Sequence, residues 1–76
     1  MRIYLTSETP LTGTYVLTRT SERSNYLIYE EIKYFTYFEQ SFKNELLFTD
    51  FTIESGIKYK YAFQYENSKH FRSAPL

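Results

Sequence analysis

The chain has no cysteine and no tryptophan, a single histidine and a single methionine, and only two glycines and two prolines in 76 residues. Without cysteine there is no disulfide to staple a small core and no thiolate metal site. That suits a reducing compartment or an assembly whose neighbours lend stability. With Gly13 and Gly56 alone, no glycine-rich phosphate loop can form. The low glycine and proline content also argues against a disordered linker. No apolar run approaches the roughly 20 residues of a membrane span. The opening M-R-I-Y-L-T-S-E-T-P lacks the apolar centre of a secretory signal. No charge of one sign predominates: nine basic and nine acidic residues cancel, whereas nucleic-acid binders usually carry a basic excess.

What the chain has instead is aromatic side chains, nine Tyr and seven Phe, or 21% of its residues. These residues favour strands and carry large apolar area. Short β-rich runs recur between turn signals. Residues 2–6 read as a strand and residues 7–13 as a loop punctuated by Pro10 and Gly13. Residues 14–20 alternate, with Tyr15, Leu17 and Arg19 on one face and Thr14, Val16 and Thr18 on the other. S-E-R-S-N at 21–25 is a turn. Residues 26–38 hold Leu27, Ile28, Ile32 and Phe35 at spacings a helix accepts, which would make the fold α+β. Tyr and Phe fill six of those thirteen positions, so the reading is a strand with a bulge near Glu30 and Glu31. A polar connection at 39–45, a strand at 46–53, a tight turn at 54–56 and a strand at 57–66 follow. Residues 67–76 close the chain as turn and loop. The whole, residues 1–76, reads as one small all-β module, an antiparallel sandwich or small barrel.

The stretch T-I-E-S-G-I-K-Y-K-Y-A-F-Q-Y-E at 52–66 shows the alternation most clearly. Ile57, Tyr59, Tyr61, Phe63 and Tyr65 share one face, expected to be core. Lys58, Lys60, Ala62, Gln64 and Glu66 share the other, expected to be solvated. Catalytic constellations are not visible. His70, between Lys69 and Phe71, has no ligand spacing around it and reads as a surface side chain. Glu8, Glu22, Glu30, Glu31, Glu39, Glu45, Asp50, Glu54 and Glu66 specify no acid pair. No serine lies in a G-x-S-x-G elbow. Lys69, His70 and Arg72 form a small basic end.

Ile53, Ser55, Gly56, Tyr59 and Tyr61 form I-x-S-G-x-x-Y-x-Y, which resembles the L-x-P-G-x-x-Y-x-Y signature of fibronectin type III modules. The resemblance implies an immunoglobulin-like sandwich with Gly56 in the turn between sheets. It implies that Tyr59 forms a tyrosine corner, its hydroxyl bonding backbone a few residues upstream. Ile stands for Leu at 53 and Ser for Pro at 55. G-T-Y-V-L-T-R-T-S at 13–21 is similar to the third strand of such modules, and S-N-Y-L-I-Y-E-E-I to the next segment. F-T-D-F-T-I-E-S-G is similar to the approach to the corner, where Asp50 would hold a turn. N-S-K-H-F-R-S-A-P-L is similar to the loop before the last strand. The likeness spans residues 13–76.

Such modules run to about 90–100 residues, and only about twelve precede the third-strand-like segment here. The resemblance therefore implies a partial module whose strand edges a neighbouring chain completes. R-T-S-E-R-S-N-Y-x-I-Y-E-E-I followed by T-I-E-S-G-I-K-Y-K-Y-A-F-Q resembles sandwich modules of bacteriophage tail, baseplate and collar proteins. This implies a non-enzymatic structural or docking part of a virion, assembled in the host cytoplasm. Its partners would be other virion proteins, not nucleic acid or membrane, and it would carry no cofactor. The alternative is an adhesion module that reads host glycan or protein through exposed Tyr26, Tyr29, Tyr34 and Tyr37.

Overall fold

The computed structural model describes residues 1–73, so residues 74–76 of the closing segment lie outside the described residues. The chain is all-β. Strand β1 runs Arg2–Ser21, β2 runs Glu30–Thr49 and β3 runs Tyr59–Glu66. They form one antiparallel sheet in the order β2-β1-β3. A short 3-10 turn at Glu22–Ser24 begins the connection from β1 to β2. No helix among the described residues is long and apolar enough to cross a membrane.

The sheet has two unlike ends. From Thr14 to Arg19, β1 lies between both neighbours, and its eight pairs with β3, from Thr14 to Ser21, run without interruption. From Arg2 to Leu11 it pairs with β2 alone. That two-stranded arm cannot extend straight on. A 20-residue strand would span about 66 Å, yet the longest dimension of the molecule is 37 Å. The ladder between β1 and β2 shifts register five times, the widest gap falling between Ser7↔Phe42 and Leu11↔Gln40. Bulges of this kind bend and twist a strand pair. The arm consequently doubles back, and its Ile3, Leu5, Leu47 and Phe48 pack on the core of Tyr15, Leu17 and Phe63. Leu17 and Phe63 are buried, each contributing roughly 1.5–3 kcal/mol of transfer energy. Tyr15 stacks on Phe63 with centroids 5.3 Å apart, and Tyr65 meets Tyr15 edge-on at 5.5 Å.

Three expectations from the sequence change. Residues 7–13 and 39–45 are strand, not loop. Their polar side chains suit a ribbon open to water, and Pro10 falls in the wide bulge where no ladder bond is lost. The strand expected from residue 26 starts only at Glu30. Asn25 and Tyr26 both adopt left-handed backbone (φ 55 and 58), which interrupts the extended chain. The strand expected to reach 53 ends at Thr49, because Asp50 turns inward. The irregularity anticipated near Glu30 and Glu31 is a register shift opposite Leu17 and Thr18, which leaves Ile32 as the extra residue.

Gly13 is a fixed point of the bend. Its φ is +110, and a Cβ there would lie 2.8 Å from Cε1 of Tyr65. Gly56 has φ +82 with open space around it. Gly13→Ala should therefore cost about 2–3 kcal/mol, combining backbone strain with a displaced ring, and Gly56→Ala about 1 kcal/mol from backbone alone. Urea unfolding midpoints compare the two; equal losses would mean that the Tyr65 contact contributes nothing.

Candidate functional site

Arg19 stands where the row Tyr15, Leu17 would place a third apolar side chain, and it is 8% exposed. The register sets Glu30 of β2 on one side of it and Tyr61 of β3 on the other. Asp50, the first residue after β2, is 2% exposed and completes the group. Its backbone N–H donates to the carbonyl of Met1 at 2.7 Å, which seats it at the end of the arm.

All the hydrogen-bonding capacity of the Asp50 carboxylate is used. Oδ1 accepts from the backbone N–H of Thr52 (2.9 Å) and from the Thr52 hydroxyl (2.7 Å). Oδ2 accepts from Nη1 of Arg19 and from the Tyr61 hydroxyl, both at 2.7 Å. Nη1 of Arg19 also donates to Thr52 Oγ1 at 2.7 Å, and Nη2 donates to Glu30 at 2.7 Å. The guanidinium carbon lies 5.0 Å from the centroid of the Tyr59 ring.

Burial alone would raise the Asp50 pKa, but the bonds from Thr52, Tyr61 and Arg19 outweigh it and hold the carboxyl well below its usual range. Burial likewise opposes the charge on Arg19, and Asp50 and Glu30 together reverse that effect and hold its pKa above the ordinary value. Burial, then the bond to Asp50, pushes the Tyr61 phenol up to about 12. General acid–base chemistry works best with groups that titrate near the operating pH; these do not. What the arrangement does is hold three strands in one geometry.

A second arginine cluster lies on the opposite face. Arg72 donates from Nε to Glu66 (3.1 Å) and from Nη2 to the Tyr34 hydroxyl (3.1 Å), and it pairs with Glu31. Nδ1 of His70 is 3.5 Å from Glu66. The hydrogen bond from Arg72 lowers the pKa of Glu66. Glu66, expected on a solvated face, is thus only 9% exposed, because residues 67–73 turn back over it. His70 itself is exposed.

The Tyr59 hydroxyl accepts a hydrogen bond from the backbone N–H of Glu54, five residues upstream, at 2.9 Å. Gly56 sits in the turn between them, and Ile53 is exposed. Tyr61 serves the Asp50 cluster instead. The four remaining tyrosines separate. Tyr37 packs inward, 4.9 Å from Phe42 and 6.0 Å from Tyr15, and burial raises its pKa. Tyr34 belongs to the Arg72 cluster. Only Tyr26 and Tyr29 come together, with Thr20, Lys60 and Ala62 around an open depression of about 310 Å³. A larger hollow of about 440 Å³ adjoins the first cluster and includes Glu30, Glu31, Phe48 and Phe51 in its walls. Among the described residues, no three His, Cys, Asp or Glu side chains converge as metal ligands. Sequence reasoning missed the pairing of Arg19 with Asp50 and Glu30. The signal was there: an arginine on a core face requires a carboxylate. Comparison with models of protein families, with curated proteins and with solved structures finds no match to this chain.

Two predictions follow from these pKa directions. The folded pKa of Asp50 lies below its unfolded value near 4, so its contribution is complete above about pH 4 and is lost as pH falls further. Thermal midpoints should drop on acidification. Asp50→Asn should cost about 3 kcal/mol at neutral pH, by leaving Arg19 underpaired, and should flatten the acid slope to the part that Glu66 supplies. An unchanged slope would sink the assignment. At the alkaline end the folded pKa of Tyr61 is raised, so its contribution is complete below about pH 10 and disappears as pH rises toward about 12. Ultraviolet titration of tyrosinate should show a late-ionising fraction that shrinks in Tyr61→Phe.

Proposed function

We propose that this chain is a non-enzymatic structural and docking module, a fibronectin type III-like sandwich unit that neighbouring chains complete within a virus particle. The observation that carries the docking part is exposed apolar surface on a sheet with two open edges. Phe51 is 88% exposed, Phe38 83% and Leu27 75%, and Ile28, Tyr29 and Phe71 are also exposed. Side chains of this size in such number are what protein interfaces bury. Among the described residues β2 and β3 each have one strand neighbour, and open edges are templates for another chain.

The folded-back arm supports the sandwich reading, since it lays a second layer on the aromatic face of the sheet. The bond from Glu54 to Tyr59 across the turn at Gly56 supports it too. The virion setting, in a bacteriophage tail or capsid-associated component, rests on the likeness of the segments at 13–76. An adhesion module reading host glycan has less support: of its four tyrosines, only Tyr26 and Tyr29 share a surface.

Circular dichroism, light-scattering mass and binding of an apolar dye on the isolated chain test the docking reading. The expected result is a β spectrum with dye binding and a mass that grows with concentration. A folded monomer that binds no dye at any concentration would overturn it. A glycan-array signal abolished by Tyr26→Ala and Tyr29→Ala would establish adhesion in its place.

A further inference from the structure

We propose that the outer edge of β3 receives an extended strand from a partner protein in which acidic side chains alternate with apolar ones. This rests on the docking reading and specifies its partner. The two open edges are not equivalent. The ladder that shapes β2 is broken five times, and Glu39 and Asn44 within β2 have positive φ. Such irregularity protects an edge from pairing. The ladder that shapes β3 is unbroken over eight pairs.

The backbone direction of β3 is fixed at both ends. Glu22 N–H donates to the carbonyl of Lys58 at 3.0 Å, so the even positions face β1. The Tyr65 carbonyl accepts from Ser73 N–H at 2.8 Å, so the odd positions face outward. Among the described residues, the returning chain meets the β3 backbone at its end, through the bridge Glu66↔Arg72 and the bond from Ser73 to Tyr65. The outward N–H and C=O groups of Tyr61 and Phe63 have no strand beside them among the described residues.

Side-chain chemistry then selects the partner. Tyr59, Tyr61 and Phe63 line one face of this edge, and apolar side chains of an added strand would continue that row. Lys60 lies on the other face, with Lys58 two residues before it. The Lys60 ammonium rests 4.2 Å from the Tyr26 ring centroid. No carboxylate among the described residues pairs with Lys58 or Lys60, whereas Arg19, Arg23 and Arg72 all have carboxylate partners. Acidic side chains of an added strand would neutralise these lysines. A second copy fits poorly. With Tyr65 already capped by Ser73, antiparallel self-pairing is centred on Tyr61 and makes the two Lys60 side chains diagonal neighbours, which is repulsive.

Amide hydrogen exchange followed by NMR on the full chain tests this, using a short peptide alternating Glu with Val and a control alternating Lys with Val. The Tyr61 and Phe63 amides should exchange freely alone and become protected with the Glu peptide only, less so at high salt. Lys60→Glu should weaken binding of the Glu peptide by about tenfold or more and favour the Lys peptide. Protection by both peptides alike, or by neither, overturns the inference, and the mass and dye measurements then judge docking separately. Protection in the free protein that rises with concentration would put a second copy on the edge, which overturns the acidic partner but not docking. Protection in the free protein at every concentration would mean that the chain covers its own edge, and overturns the inference too.

Discussion

The buried ion pair between Arg19 and Asp50 governs how this sheet closes on itself. Taking two such ions out of water costs several kcal/mol each, and the structure offsets that by bonding every lone pair of Asp50 and both terminal nitrogens of Arg19. The net contribution to stability of such a pair is small compared with an apolar replacement. Its effect is positional. Asp50 follows directly on β2 at the end of the arm, Arg19 is in the middle strand, and Tyr61 is in β3. Only one placement of the arm brings all three together, and in that placement Ile3, Leu5 and Phe48 cover Tyr15, Leu17 and Phe63. A greasy core alone accepts many slightly shifted packings; the charged cluster selects one.

Small size explains why the arm exists. A domain of this length buries only about 60% of the surface that its unfolded chain exposes, and the described residues form a single sheet. One long hairpin bent on itself supplies both layers from two strands. The cost is concentrated at the bend, in the wide bulge around Pro10, the positive φ of Gly13 and the left-handed backbone at Glu39 and Asn44. The side chains there are largely exposed, so they contribute little packing in return. Stability comes from the other half, where Tyr15 to Thr20 are buried on both faces.

That division also explains what was legible in the sequence. Strands at 14–20 and 57–66 stand out because β1 and β3 pair regularly and one face carries a row of aromatic or aliphatic side chains. Tyr61 and Phe63 fall on the core face that alternation assigns them, whereas Tyr65 at the end of the same row is 38% exposed. The ends of the arm at 2–6 and 46–49 were read as strand, but its bend was unreadable for the converse reason. Apart from buried Phe42 and half-buried Leu11, residues 7–13 and 39–45 are largely exposed ribbon, so hydrophobic period is weak and Pro10 and Gly13 speak for a turn. Tyr26 to Tyr29 misled in the other direction: four apolar residues look like buried strand, but they form an exposed connection. Of the site, Arg19 was visible on one strand face with Tyr15 and Leu17. Its partners were not, because Glu30, Asp50 and Tyr61 come together only after the arm has folded back.

The adjacent glutamates Glu30 and Glu31 show how finely register matters. Successive strand residues face opposite sides, so Glu30 reaches Arg19 on the core face while Glu31 reaches Arg72 on the other. The shift at Ile32 makes this assignment. Continuing the pairing Leu17↔Lys33 without a bulge would set Ile32 opposite Thr18 on the outer face and Glu31 opposite Arg19. With the bulge, Ile32 joins Phe35 against the core and each glutamate gains its own arginine. A slip of one residue would exchange both ion pairs and turn an isoleucine to solvent. A chain with no net charge thus uses its charges in pairs of fixed address. The arginines clamp the register from within, and Lys58 and Lys60, with no carboxylate partner among the described residues, are left for whatever lies alongside.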